Sequence, residues 1–259
     1  MTDLEYVDFT QQFTLQTGID LGNYKQEQIR KRLALLYHKG SFHSIGDSDS
    51  LLFNSGFVQE ITGQITAHIT EFYRNPEVWE YLHHSALPGL LQKRASLNCW
   101  SAGCSTGEEA YTLAMILEEM DIETYSIVAS DLNDSLLTKA KQGLYREKAL
   151  GSLPSGLKLK YLRKFGTHYS VHKDMKKAVS FERQNLLHGR LESGFDLILC
   201  RNVIMYLTEE ANHYLLSRLS SAMCPGGILV VGSRDSIPEP EHYGLIKLNS
   251  FFFQKRERV

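Results

Sequence analysis

Cys99-Trp-Ser-Ala-Gly103-Cys-Ser-Thr-Gly107-Glu-Glu109 decides the fold. The residues before it, Leu97-Asn-Cys-Trp100, are short and mostly apolar, as a buried strand requires. Those after it, Ala110-Tyr-Thr-Leu-Ala-Met-Ile-Leu117, have helical composition. A strand, a glycine turn and a helix N-terminus predict free backbone N–H groups converging on one point. Such a point takes the polar end of a nucleotide-like cofactor. The next predicted strand, Tyr125-Ser-Ile-Val-Ala-Ser130, ends in Asp131. An acid about twenty residues past the glycine loop, at the end of the second strand, suits ribose hydroxyls.

The loop narrows the choice of cofactor. Gly103 and Gly107 do not make the G-x-G-x-x-G of a dinucleotide site. Glu108 and Glu109 stand where a P-loop has Lys-Ser/Thr. Two carboxylates in a first helical turn suit the helix dipole but repel a triphosphate. They tolerate a cofactor with sulfonium and ammonium groups, so S-adenosylmethionine fits better than ATP or NAD. Ser105 and Glu108 read as a capping box, whereas Gly103, Glu109 and Asp131 read as cofactor-binding.

Outward from this stretch, strands and helices alternate. Residues 95–145 give strand, helix, strand, helix. Phe195-Asp-Leu-Ile-Leu-Cys200 is a near-continuous apolar strand. Thr208-Glu-Glu opens a helix that stops before Cys224-Pro-Gly-Gly227, and Ile228-Leu-Val-Val231 is the next strand. Leu245–Leu248 and Phe251–Phe253 flank Asn249-Ser250 as a closing hairpin. The pattern predicts an α/β fold with a mostly parallel, doubly wound sheet. Residues 145–182 interrupt it and are too long for an ordinary connection. There Leu153–Arg163 reads as a short helix, and Thr167–His172 and Lys177–Phe181 as strands of a small inserted subdomain. Residues 1–65 read as helical, and from Tyr24 to Lys39 Ile29, Leu33, Leu36 and Tyr37 share one face. Asn75-Pro76 predicts a helix start with Asn as N-cap, and Pro88 starts another.

Bulk properties exclude several classes. The chain has 259 residues, 42% hydrophobic, with a net charge of −2, which is not the basic surface of a general nucleic-acid binder. No apolar stretch is long enough to span a membrane. The acidic start, Met1-Thr-Asp-Leu-Glu, has no signal-peptide core, which predicts a cytoplasmic protein. Cys99, Cys104, Cys200 and Cys224 lack C-x-x-C spacing and read as reduced thiols. The ten histidines show no metal-ligand spacing, so no metal is assigned.

Six blocks in order resemble one family over nearly the whole chain. They are Thr17-Gly-Ile-Asp-Leu21 through Arg32, Thr70-Glu-Phe-Tyr-Arg74-Asn-Pro, Trp100 to Glu109, Ala129-Ser-Asp131-Leu-Asn, Gln184-Asn185-Leu-Leu, and Phe195 to Tyr206. They are similar to those of the CheR-type chemoreceptor glutamate methyltransferases. The resemblance implies an N-terminal helical substrate-recognition domain over 1–65. It implies a class I, Rossmann-like methyltransferase domain over 66–259, with a β-subdomain inserted at about 145–182. It implies cofactor roles for Thr70, Arg74, Glu109, Asp131, Asn185, Leu186, Arg201 and Asn202, with His68 standing where the family often has Asn. The late Gly-x-Ser-Glu-Ser motif reads here as Gly232-Ser-Arg-Asp-Ser236, a departure that leaves the cofactor blocks intact.

The implied reaction moves a methyl from S-adenosylmethionine to glutamate side chains in the cytoplasmic helical bundle of a methyl-accepting chemoreceptor, as a monomer. A glutamate is already ionised at neutral pH, with a pKa of about 4.3, so no general base is needed. Alignment is needed, and an arginine fork aligns carboxylates. Arg74 is the catalytic candidate, with Tyr206 supplying a hydroxyl. Arg201-Asn-Val-Ile-Met-Tyr206 lacks the Pro-Pro of Asp/Asn-Pro-Pro-Tyr, against a DNA methyltransferase. Arg30-Lys31-Arg32 read first as a solvated helix face, with Lys31 and Leu35 pointing outward. The family analogy makes them a docking surface for the acidic receptor. Members that grip a receptor tail peptide carry a longer, glycine-bearing loop than Arg163–Ser170, so methylation here is expected without that peptide. The alternatives are an S-adenosylmethionine-binding regulatory module without turnover, and an NAD-dependent oxidoreductase disfavoured by the missing glycine motif.

Overall fold

In the computed structural model, residues 2–38, 58, 61–63 and 70–257 are described. His68, Lys39 and the Tyr37 side chain lie outside these. Two compact units are distinguished: residues 1–67 with 206–213, and residues 68–205 with 214–259.

The first unit contains α1 (Asp3–Thr17) and α2 (Gln26–His38). Thr2 caps α1 in a full capping box with Glu5, and Gly18 ends it in the left-handed conformation. The predicted apolar face of α2 is buried at Ile29, Leu33 and Leu36, while Leu35 is exposed. The basic run is largely spoken for within the unit. Arg30 pairs with Asp3 and lies over the Tyr6 ring, and Lys31 pairs with Glu27 at 2.6 Å. Arg32 lies 5.1 Å from the Tyr206 ring centroid.

The second unit starts with α3 (Pro76–Tyr81), a π turn over Leu82–Ala86, and α4 (Leu87–Leu91). Its main strands are β1 (Leu97–Ala102), β2 (Tyr125–Asp131), β6 (Val179–Arg183), β7 (Phe195–Cys200), β8 (Met223–Val231), β9 (Leu245–Lys247) and β10 (Phe252–Lys255). They lie in the order β6-β2-β1-β7-β8-β10-β9. Counted along the chain this is third, second, first, fourth, fifth, seventh, sixth. The β1, β2, β6, β7 and β8 neighbours pair parallel, and β10 is antiparallel to both β8 and β9. The doubly wound sheet and its closing hairpin are as expected. The order reverses between β1 and β7, which opens a crevice at their carboxyl ends.

Helices α5 (Glu108–Glu119), α6 (Asp134–Gln142) and α9 (Glu209–Ala222) follow β1, β2 and β7. Every residue of β7 is buried, as are Ala110 through Leu117 of α5. Between α6 and β6 comes a three-stranded antiparallel sheet, β3 (Leu144–Arg146), β5 (His168–Val171) and β4 (Leu162–Phe165), in the order β3-β5-β4. α7 (Ser155–Tyr161) and α8 (Lys173–Lys177) flank it. Gly166-Thr167 is the tight turn between β4 and β5, where Phe165 pairs with His168.

Three local expectations are corrected. The strand read over Lys177–Phe181 belongs to the main sheet: Val179–Arg183 pair with Ile127–Asp131 of β2. Period-2 patterning marks a strand without saying which sheet takes it. The strand after α9 starts at Met223, not Ile228, with a register shift opposite Phe195/Leu197 that absorbs the glycines. Asn75 sits at the N-cap of α3 but makes no cap bond; its φ is +59°.

Candidate active site

The carboxyl ends of β1, β2 and β7 bring the predicted loop, Asp131 and Arg201-Asn202 together. The loop after β1 turns at Gly103, φ +85°, where a Cβ would stand 2.8 Å from Val203 Cγ2. Only glycine fits there without strain. The N–H groups of Gly103 and Cys104 donate to the Ser130 carbonyl at 2.8 and 2.9 Å, and that of Gly107 to the Cys104 carbonyl at 2.9 Å. Ser105 N–H donates to Asp131 Oδ2 at 2.9 Å. The expected cluster of free N–H groups is therefore largely engaged within the protein. A loop so satisfied is not a phosphate cradle.

The expected capping box is also replaced. Gly107 is the N-cap of α5 and no side chain caps it. Glu108 is buried and accepts from the Thr106 hydroxyl at 2.9 and 2.7 Å, and Thr70 also donates to it.

Glu109 lies on the neighbouring face. Its carboxylate accepts from Ser101 Oγ at 2.8 Å and from Arg201 at 3.3 Å. Burial pushes its pKa up, and the Arg201 guanidinium opposes that. Arg201 is nearly fully buried. It donates to the Arg74 carbonyl at 2.8 Å and to Asn75 Oδ1 at 3.0 Å, and lies 5.4 Å from the Trp79 ring centroid. This is where the Asn75 side chain is used instead of capping. Trp79 Nε1 donates to the same Arg74 carbonyl at 2.9 Å. The Arg201 Nε is buried and finds no acceptor among the described residues.

Asp131 also accepts from Asn133 N–H at 3.0 Å. Burial raises its pKa against these backbone hydrogen bonds. Thr70, Arg74, Gly103, Glu109, Arg201 and Asn202 line one cleft. Asn185 and Leu186 follow β6, and Gln184 N–H is tied to the Asp131 carbonyl at 3.0 Å. Tyr206 belongs to the first unit, where its carbonyl accepts from Lys25 N–H at 2.9 Å.

Backbone strain concentrates here. Tyr73, Asn75, Ser105 and Asn202 all have φ between +51° and +60°. A bulky tyrosine in that region is held only by its surroundings. Tyr73 N–H donates to Thr112 Oγ1 at 3.1 Å, and its ring stacks on Trp79.

Asp235 escapes the sequence reading. Its buried carboxylate accepts from the N–H groups of Asn202 at 2.6 Å, Gly232 at 2.8 Å and Met205 at 3.0 Å. It thus ties the end of β8 to the loop after β7. A Cβ on Gly232 would stand 2.7 Å from Asn202 N. The signal was the altered motif Gly232–Ser236, which places an acid here.

Residues 68–252 match the family described as "CheR methyltransferase, SAM binding domain". A "Chemotaxis protein methyltransferase" of Listeria monocytogenes is 34% identical over 98% of each chain. One from Borreliella burgdorferi is 33% identical over 85% of this chain and 83% of its own. "Chemotaxis protein methyltransferase 1" of Pseudomonas aeruginosa is 30% identical over 89% of each.

Proposed function

Because this chain belongs to the CheR methyltransferase family, we propose that it methylates glutamate side chains of chemoreceptors, the adaptation step of bacterial chemotaxis. S-adenosylmethionine is the cofactor of this methyltransferase. The observation that carries the reading is a pair of acids beside one loop. Asp131 is buried at the end of β2, and Glu109, largely buried in the first turn of α5, lines the cleft, while the loop N–H groups between them are largely engaged. Two carboxylate acceptors fit ribose hydroxyls and a cation, and Arg201 Nε, without an acceptor among the described residues, leaves a donor for a ligand acceptor.

When bound, the cofactor supplies a methyl group on a sulfonium. Asp131 accepts hydrogen bonds from ribose hydroxyls, and Glu109 with Arg201 holds the amino-acid end. Thr70, Gly103, Asn185, Leu186 and Asn202 complete the pocket; His68, outside the described residues, belongs to the proposal by family resemblance alone. Arg74 aligns the substrate carboxylate with its planar fork, and Tyr206 adds a hydroxyl. The carboxylate is already anionic, so these residues orient and desolvate it and need remove no proton.

The domain assignment, residues 1–65 for substrate recognition and 66–259 for transfer, belongs to the same proposal. Arg30, Lys31 and Arg32 meet the acidic receptor bundle, and the enzyme works in the cytoplasm as a monomer. No helix among the described residues is long and apolar enough to cross a membrane. The tight Gly166-Thr167 turn supports methylation without a receptor tail peptide. Incubation with methyl-labelled S-adenosylmethionine and receptor-bearing membranes tests the reading. Label in the receptor, released as methanol by mild base, is expected. Cofactor binding with no label transferred would make the chain a regulatory module instead.

A further inference from the structure

The segment after β6 carries Asn185 and Leu186 but belongs to no helix or strand. Two short bonds shape it: Leu187 N–H to Asn185 Oδ1 at 3.0 Å, and His188 N–H to the Asn185 carbonyl at 3.2 Å. The next carbonyls are held from outside. Arg218, on α9, donates through Nε to the Leu186 carbonyl at 2.9 Å and through NH2 to the Gly189 carbonyl at 2.7 Å. Its NH1 donates to the Tyr214 hydroxyl, one turn earlier on the same helix, at 3.2 Å. Its guanidinium also lies 5.4 Å from the Tyr214 ring centroid.

We propose that Arg218 is a positioning residue for the cofactor: it fixes the Asn185–Leu186 backbone from behind, without touching the ligand itself. The inference rests on the assignment of Asn185 and Leu186 to the cofactor. Its physical basis is the shape of the contact. Two N–H groups on one edge of a planar fork span two carbonyls of one turn, with both bonds charge-assisted. A lysine offers a single point charge and cannot hold that spacing. Asn185 spends its amide oxygen on Leu187 N–H, so its NH2 is the group left to meet a ligand. Where that NH2 stands depends on the turn that Arg218 grips.

Calorimetric titration with S-adenosylhomocysteine tests this on Arg218→Ala, Arg218→Lys and Asn185→Ala. Arg218→Ala is expected to weaken binding about tenfold and Arg218→Lys about threefold, as a fork is lost in whole or in part. In turnover, KM for S-adenosylmethionine rises while KM for the methyl-accepting protein stays within about twofold, a split that a loss of folded protein does not produce. Unchanged affinity in folded Arg218→Ala overturns the proposal. If that variant does not fold, wild-type affinity in Arg218→Lys overturns it equally. Weakening by Asn185→Ala alone rejects the role of Arg218 and keeps the site. No effect from any of the three removes the segment from the cofactor site, and the proposal with it.

Discussion

Burying Glu109 beside Arg201 desolvates both charges, and such a pair holds only when further hydrogen bonds satisfy it. Ser101 bonds Glu109, and the Arg74 carbonyl with Asn75 takes Arg201 NH2, which leaves Arg201 Nε without an acceptor among the described residues. Asp131 accepts from the Ser105 and Asn133 N–H groups, so it shapes the loop besides its proposed contact with ribose hydroxyls. Asp131→Ala should cost about 1.5–3 kcal/mol of cofactor binding, read by calorimetry on protein shown to be folded. The pH dependence follows from the direction of the shifts. Burial raises both the Glu109 and Asp131 pKa values. The ligand needs their ionised forms, so affinity should fall on acidification, starting above the ordinary carboxylate range near ~4. The ligand-free fold behaves oppositely. It holds protons that the unfolded chain releases, so this part of its stability grows as pH falls through the raised pKa values and is lost as pH rises. Arg74→Lys keeps charge but loses the fork, and should impair turnover more than cofactor binding. Tyr206→Phe should have a smaller effect. Normal turnover in Arg74→Ala would remove its role. The placement of Glu109 and Asp131 beside the glycine loop was legible, because one opens the helix after it and the other ends the next strand; their cofactor roles belong to the proposal. The Asn75–Arg201 bond joins residues 126 positions apart and the Asp235–Asn202 bond residues 33 apart. No local pattern marks such pairs.

At the scale of elements, the strand-glycine-helix unit was readable because burial and backbone geometry act within a few residues. The β1 strand, the Gly103 turn and α5 all stand where the sequence put them. What failed needed tertiary context. Val179–Arg183 joined the main sheet because β2 offered a parallel edge, which patterning within 145–182 does not encode. The Ser105–Glu108 cap gave way because Ser105 N–H was taken by Asp131, from the next strand, with Ser105 at φ +51°. Gly103→Ala tests the turn. Its Cβ meets Val203 at 2.8 Å in a left-handed conformation, which should cost about 1–3 kcal/mol. Thermal unfolding would read that cost, and cofactor affinity should fall with it. An unchanged melting temperature would mean that the loop adapts freely.

For the molecule as a whole, the proposed function requires a chain of net charge −2 to meet an acidic receptor. Within the first unit Arg30 is paired with Asp3, and Arg32 lies over Tyr206. Lys31 is the more exposed cation of the three, and among the described residues its ion-pair partner is the exposed Glu27. Exposed pairs of that kind contribute little to stability. Lys31→Glu should therefore leave folding and cofactor affinity nearly unchanged while raising the apparent KM for receptor, and added salt should mimic it. Equal methylation rates under both changes would reduce the run to a solvated face. The central claim concerns where the methyl group goes. Mass spectrometric mapping of receptor peptides after reaction with S-adenosylmethionine tests it most directly. The account predicts methyl esters on glutamate side chains of the cytoplasmic helical bundle, lost on mild base treatment. Methyl groups on lysine, arginine or a chain terminus, stable to base, would contradict it.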